Sequence, residues 1–163
     1  YIMVETIVDS DFEQAGNIAF RRLFNYISGD NMSKEKIAMT APVNQEPQKT
    51  TGQKIAMTAP VNQQRVGEQW AVGFVMPAKY TMQTLPQPTS QELTVKQVPS
   101  QKMASIKYSG SWSRKLYDEN ELALRKFIED QNLKITGQPT WARYNPPFCP
   151  GFLRRNEIMF PVE

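Results

Sequence analysis

Two arginine pairs, one cysteine and a set of phenylalanines are the residues in this chain whose types and spacing could do chemistry. Phe20 and Phe24 stand one helical turn apart with Arg21 and Arg22 between them. Near the other end, the run WARYNPPFCPGFLRRNE gathers Tyr144, Phe148, Cys149, Phe152, Arg154 and Arg155. Aromatic side chains suit the walls of a flat apolar pocket. Arginine suits the carboxylate of a ligand, because its planar fork can donate two parallel hydrogen bonds. Cys149 precedes Pro150, which removes a backbone donor and turns the chain, leaving the sulfur accessible as a thiolate donor.

The chain has no histidine. That removes Ser-His and Cys-His catalysis, the usual zinc sites and the commonest haem ligand. A single cysteine cannot build a zinc site, an iron–sulfur cluster or an internal disulfide. There is no GxGxxG and no P-loop, so nucleotide binding through a familiar loop has no support. With no convincing acid–base couple, binding is a better reading than catalysis. Glu13, on the same helix as the two phenylalanines, is the residue an enzyme reading would use.

The elements that must position these residues are legible in outline. At 163 residues, 40% of them hydrophobic and 21% charged, the chain is long enough for one domain with a real core. The net charge of +3 is scattered over the sequence, and no nucleic-acid-binding signature accompanies it. No apolar run approaches the roughly 20 residues of a membrane span. The chain begins at Tyr1, without Met and inside a predicted strand, which leaves the compartment open between cytoplasm and periplasm.

The alternation of Tyr1–Val8 predicts a strand. Ser10 and Glu13 have capping-box spacing for a helix that Gly29 is placed to close. KIAMTAPV and, past a polar loop, WAVGFVMP predict two more strands. The second half repeats the plan: a strand over Lys102–Tyr108, a helix from about Ser113 to Leu133, then strands over Thr140–Asn145 and Asn156–Val162. PTSQELTVKQVP is the crossing between halves of about 1–85 and 92–163. The expected fold is α+β: a pseudo-symmetric antiparallel sheet or distorted barrel from two β-α-β-β halves, with two helices packed on it.

One phrase occurs twice, as KIAMTAPVNQ at Lys36–Gln45 and again at Lys54–Gln63. Two copies do not make a solenoid. In strand geometry Ile37, Met39, Ala41 and Val43 share one face, while Pro42 marks an edge or a strand end. The copies are read either as a long hairpin turning through Glu46–Gln53 or as equivalent segments competing for one place in the sheet; the hairpin is preferred, since register is normally fixed by the buried face.

KIAMTAPV, AFRRLFNYISGDN, FVMPAKYTMQTLPQP and WARYNPPFCPGFLRRNEIMFPV, in this order, resemble the SOUL haem-binding protein family over nearly the whole chain, with a doubled IAMTAPV like that of some bacterial-type members. The resemblance implies a single domain over 1–163, a distorted β-barrel with two helices, and a strand preceding Tyr1 that this chain lacks. It also implies haem or another tetrapyrrole held in a shallow apolar groove along the first helix, beside the loop after the Pro-Pro motif. The histidine ligation used by some members is closed to this chain.

The residues support such a groove independently. At 100° per position Phe12, Ala15, Ala19, Leu23 and Tyr26 form the core-facing stripe, and Phe20 and Phe24 fall on one flank near Gly16. These two and the PPFCPGF loop are either mutually covering structure or two walls of a pocket. Arg154, Arg155, Arg21 and Arg22 are either solvated charges, with Arg155 tied to Glu157, or partners for the propionates of haem. The iron could take Cys149, a Met, a Tyr or no protein atom, and binding without an iron ligand is preferred over Cys149. An effector-binding module of regulator type, with an acidic residue deep in a cleft between the halves, is the alternative from fold analogy. A protein partner in the same groove is a further alternative.

Overall fold

The computed structural model describes residues 1–33 and 52–163. The first copy of the duplicated phrase and the hairpin through Glu46–Gln53 fall largely in the remaining stretch and lie outside the described residues. The elements are β1 (Ile2–Val8), α1 (Phe12–Ile27), β2 (Asn31–Met32), β3 (Val61–Val66), β4 (Gln69–Val75), β5 (Gln87–Pro88), β6 (Leu93–Gln97), β7 (Met103–Tyr108), α2 (Arg114–Asp130), β8 (Thr140–Arg143) and β9 (Asn156–Pro161). A 3-10 turn, Gly151–Leu153, precedes β9.

Helix α1 starts one residue later than the Ser10 spacing implies. Asp11 is the N-cap, its carboxylate accepting from the amides of Glu13 and Gln14 at 3.0 and 2.8 Å. A carboxylate is a strong acceptor there and also complements the helix dipole. At the other end Gly29 takes φ +123°, and its amide and that of Asp30 close back onto the carbonyls of Tyr26 and Asn25. Only glycine adopts that backbone without strain, so it stops the helix where the sequence places it. Ser113 caps α2 by accepting from Leu116 N.

Seven strands form one antiparallel sheet in the order β6-β1-β4-β3-β8-β9-β7, and β2 pairs with β5 apart from it. In both halves the strand after the helix pairs at the centre and the next one pairs between it and the first: β1-β4-β3 on one side, β7-β9-β8 on the other. The halves meet at β3 and β8, with Val61 opposite Arg143 and Gln63 opposite Trp141. Two helices thus pack on a mostly antiparallel sheet, α1 mainly on β1 and β4, α2 on β7 and β9. Among the described residues no ladder joins the edges β6 and β7 into the barrel that the resemblance implies.

Two predicted details change. The second copy of the phrase, Lys54–Gln63, is a strand only from Val61 onward, and β3 continues through residues expected as loop. Pro60, the counterpart of Pro42, stands just before that strand, where a missing amide costs no ladder bond. Ile55 is buried while Met57 is half exposed, so the phrase does not present one continuous apolar face. The crossing between the halves is not a plain linker: its LTVKQ segment is β6, which pairs along β1 from Thr6–Leu93 to Ile2–Gln97.

Side-chain alternation builds the core on the helix side. Ile2, Val4, Val8, Val72, Phe74 and Met76 meet Ala15, Ala19, Leu23 and Tyr26 of α1. Beneath α2, Tyr117, Leu124 and Ile128 meet Trp141, Ile158 and Phe160. Phe12 joins the two, stacking on Trp141 with ring centroids 4.7 Å apart and meeting Trp70 edge-on at 5.4 Å. Each helix covers its own half, and the starts of both reach the seam of β3 and β8, where Phe12 and Tyr117 pack on Trp141.

Candidate functional site

A cavity of about 610 Å³ opens over that seam, and its walls come from three regions. Gly16, Asn17 and Phe20 of α1 form one wall. Residues 144–148, running from β8 into the Pro-Pro loop, form the other, with Trp112 at the approach to α2. Met57, Thr58 and Ala59 of the second phrase copy lead in to Val61, and Arg143 completes the lining.

Each wall has a local cause. Phe20 is held edge-on against Phe74 at 5.6 Å, so it is anchored in the core on one side and faces the cavity on the other. Phe24 is 47% exposed and stacks on Phe20 at 5.8 Å, outside the cavity lining. The Pro-Pro loop is fixed by Arg154, whose Nε and Nη2 donate to the carbonyls of Cys149 and Pro147 at 2.8 and 2.7 Å. Its guanidinium also covers the Trp112 ring at 4.3 Å. Trp112 in turn donates from Nε1 to Asn156 Oδ1 at 2.9 Å. Asn145 accepts from Arg155 N at 2.6 Å through its side chain, which closes the base of the loop.

Of the residues singled out by sequence, Phe20, Tyr144 and Phe148 line the cavity, while Phe24, Cys149, Phe152, Arg154 and Arg155 do not. Phe148 and Phe152 are both largely exposed. Cys149 is half-buried, its sulfur 3.7 Å from Pro150 O. Arg155 is tied to Glu157 by a 2.5 Å ion pair and lies over the Tyr144 ring at 4.2 Å. The hydrogen bond to Glu157 raises the Arg155 pKa further, and burial, with the hydrogen bond from Tyr144 to the same carboxylate, raises that of Tyr144. Arg22 reaches Thr6 Oγ1 and Glu92, at 3.1 and 2.9 Å. Glu13 accepts from Arg114 N at 3.3 Å, at the start of α2 rather than at the groove.

Sequence reasoning missed Trp112 and, more consequentially, Arg143. Arg143 is 8% exposed, its Cζ lies 4.7 Å from the Trp141 ring centroid and 5.2 Å from that of Trp112, and Nη2 donates to Gln63 Oε1 at 3.3 Å. Among the described residues its Nε has no hydrogen-bond partner. Burial pushes its pKa down to about 10, partly offset by the nearby Tyr108 phenol. The legible signal was alternation: in TWAR, Trp141 and Arg143 share the core face, and an arginine on an apolar strand face needs a reason.

On the opposite face of the sheet, a second hollow of about 260 Å³ is lined by Met3, Glu5, Asn62, Gln64, Gly73 and Lys96 among others. Glu5 is the acidic residue that an effector cleft would need. It is bound by Lys96 at 2.6 Å, which neutralises it. Among the described residues no group of His, Cys, Asp and Glu could hold a metal ion, and no helix is long and apolar enough to cross a membrane.

Solved structures share this architecture. The crystal structure of the EcmrR C-terminal domain matches with a TM-score of 0.69 at 11% identity, over 99% of this chain and 90% of that one. A crystal structure of a hydrolase from Listeria innocua matches with a TM-score of 0.66 at 12% identity, over 99% and 87%. At such identities the likeness is one of fold. No curated protein matches the chain in sequence. The family model described as SOUL heme-binding protein matches residues 1–161, so this chain belongs to the SOUL heme-binding protein family.

Proposed function

We propose that this protein binds haem or a related tetrapyrrole non-covalently in the cavity between α1 and the Pro146–Phe148 loop, without a histidine ligand. The observation that carries the reading is the cavity itself: about 610 Å³, within the usual range for small-molecule sites, and walled by Phe20, Val61, Trp112, Pro146, Pro147 and Phe148. Aromatic and proline faces suit a flat macrocycle. The buried guanidinium of Arg143 suits its acidic side chains. Arg154 and Arg155 contribute by holding the loop and its flank, and Phe24 by backing Phe20. Phe152 sits on the 3-10 turn beyond the loop as an outer apolar contact.

Cys149 lies beside the lining rather than in it, which favours binding by contact and charge over ligation of the iron. Bound iron would supply redox or gas-ligand chemistry of its own, and nothing in the lining is committed to directing it. The paired state of Glu5 weighs against an effector cleft on the other sheet face, and the engagement of Glu13 at α2 weighs against a catalytic role for it.

Titration with haemin and with a metal-free porphyrin tests this, followed by Soret absorbance and by quenching of tryptophan fluorescence. Both should bind with similar affinity, and Cys149→Ser should leave the ferric spectrum unchanged. A thiolate-type Soret band lost in Cys149→Ser would replace the unligated mode with cysteine ligation. Failure of both porphyrins to bind would remove the function and leave the fold.

A further inference from the structure

We propose that Arg143 is the anchor for the ligand's anionic group, so that the cavity selects apolar organic carboxylates that enter acid end first. The inference rests on the cavity reading above and adds to it which end of the ligand points inward.

The argument begins with an imbalance. A guanidinium carries five N–H donors and is charged. Among the described residues, Arg143 makes one hydrogen bond, to the neutral amide oxygen of Gln63 at 3.3 Å, and pairs with no carboxylate. The Gln63 amide is oriented for this by its own Nε2, which donates to Phe12 O at 2.9 Å. The two indole rings offer cation–π attraction but no acceptor. Nearby acids are engaged elsewhere: Glu157 with Tyr144 and Arg155, Glu13 with Arg114. A cation taken from water and left without a counter-charge is costly, and proteins normally pair it. No described residue supplies it, and the cavity that Arg143 lines is a route by which a ligand can.

An added Cβ on Gly16 would stand 2.5 Å from both Nη1 and Nη2, so the guanidinium occupies the space left by the absent side chain of a helix residue. With Asn17 and Phe20 beside it, this side of the cavity offers one fixed cation and otherwise little charge. A carboxylate reaching the guanidinium from the cavity, rather than at the fork end that faces Gly16, can accept charge-assisted bonds and supply the missing acceptors. Arg154, Arg155 and Arg22 do not duplicate this, because they are spent on local carbonyls and carboxylates, and Arg21 is not in the cavity lining.

The test compares a metal-free dicarboxylic porphyrin with its dimethyl ester, on wild type, Arg143→Met and Arg143→Lys, by fluorescence titration. Wild type should bind the acid at least about tenfold more tightly than the ester, as a charge-assisted bond of this kind implies. Arg143→Met should abolish the preference while still binding the ester, and Arg143→Lys should keep part of it. If Arg143→Met does not fold, the acid–ester ratio on wild type and its reduction in Arg143→Lys decide the matter. An ester that binds wild type as tightly as the acid overturns the anchor and leaves the cavity reading intact. So does a preference that survives Arg143→Met, which would place the anionic group at an outer arginine. Failure of both probes overturns the cavity reading and this inference with it.

Discussion

The guanidinium of Arg143 meets Gly16 end-on, so close that a methyl group there would stand 2.5 Å from both of its terminal nitrogens and 2.9 Å from Cζ. A strand of the second half and a helix of the first are thus fitted together by one missing side chain. Glycine in a helix interior ordinarily costs about 1 kcal/mol relative to alanine. Gly16→Ala should therefore stabilise the helix and instead is expected to lower the melting temperature, because Arg143 must move into the cavity. Porphyrin affinity should fall with it. A more stable protein with unchanged affinity would show that the close approach is unimportant.

Phe20 and Phe24 should separate when each is changed to alanine. Phe24 is half exposed and outside the cavity lining, so its loss should cost under about 1 kcal/mol and leave porphyrin binding nearly intact. Phe20 bridges Phe74 and the cavity. Its loss should weaken binding more, and destabilise by less than the ~3–5 kcal/mol of a fully buried phenylalanine. Chemical denaturation and porphyrin titration on both variants measure the two effects, and equal behaviour would misplace the groove.

Arg154→Met tests the loop. Two hydrogen bonds to carbonyls and the cover over Trp112 are removed together, for an expected loss of about 1–3 kcal/mol. Amide exchange should rise over residues 148–151, with slower exchange retained in β8 and β9. Uniform exchange across all three would mean that Arg154 does not hold the loop.

High pH should unfold the protein through its tyrosines. Burial raises the pKa of Tyr26 and, together with Glu121, of Tyr117, both well beyond the ordinary value; burial takes Tyr108 to about 12 despite Trp141 and Arg143. In the unfolded chain each ionises near pH ~10. The unfolded state then binds fewer protons, so stability is present below about pH 10 and falls above it, by about 1.4 kcal/mol per pH unit for each such tyrosine. Arg143, pushed down to about 10, works the other way, since its desolvation is relieved as it loses a proton. Three tyrosines outweigh one arginine. Urea midpoints between about pH 9 and 11.5 should drop, with the late tyrosine absorbance appearing as the chain unfolds; a flat midpoint would contradict this.

Local rules made much of the molecule legible. The helix stripe Phe12, Ala15, Ala19, Leu23 and Tyr26 is buried as its 3.6-residue period requires, and Gly29 and Ser113 end and start helices where their chemistry suits. The order of elements in each half, and the placing of Phe20 and the Pro-Pro loop near one another, followed from the same patterns and the family resemblance. Strand β6 escaped notice because LTVKQ is only five residues long, set among prolines and polar residues, and its place beside β1 depends on a partner distant in sequence.

What the sequence determined by itself is whatever depends on neighbours along the chain: periodicity, caps, the absence of histidine, and a Phe-rich loop. Only the tertiary structure decided the charge of the site. Arg154 and Arg155 stand ready for a ligand in the sequence, yet carbonyls and Glu157 a few residues away claim them first. Arg143 looks like one more charge in the sequence, yet the β3–β8 register seats it opposite Val61 and against Gly16 from the other half of the chain. Register is set by the fit of whole faces across a ladder, and that fit buries Arg143 beside the cavity with no carboxylate partner among the described residues.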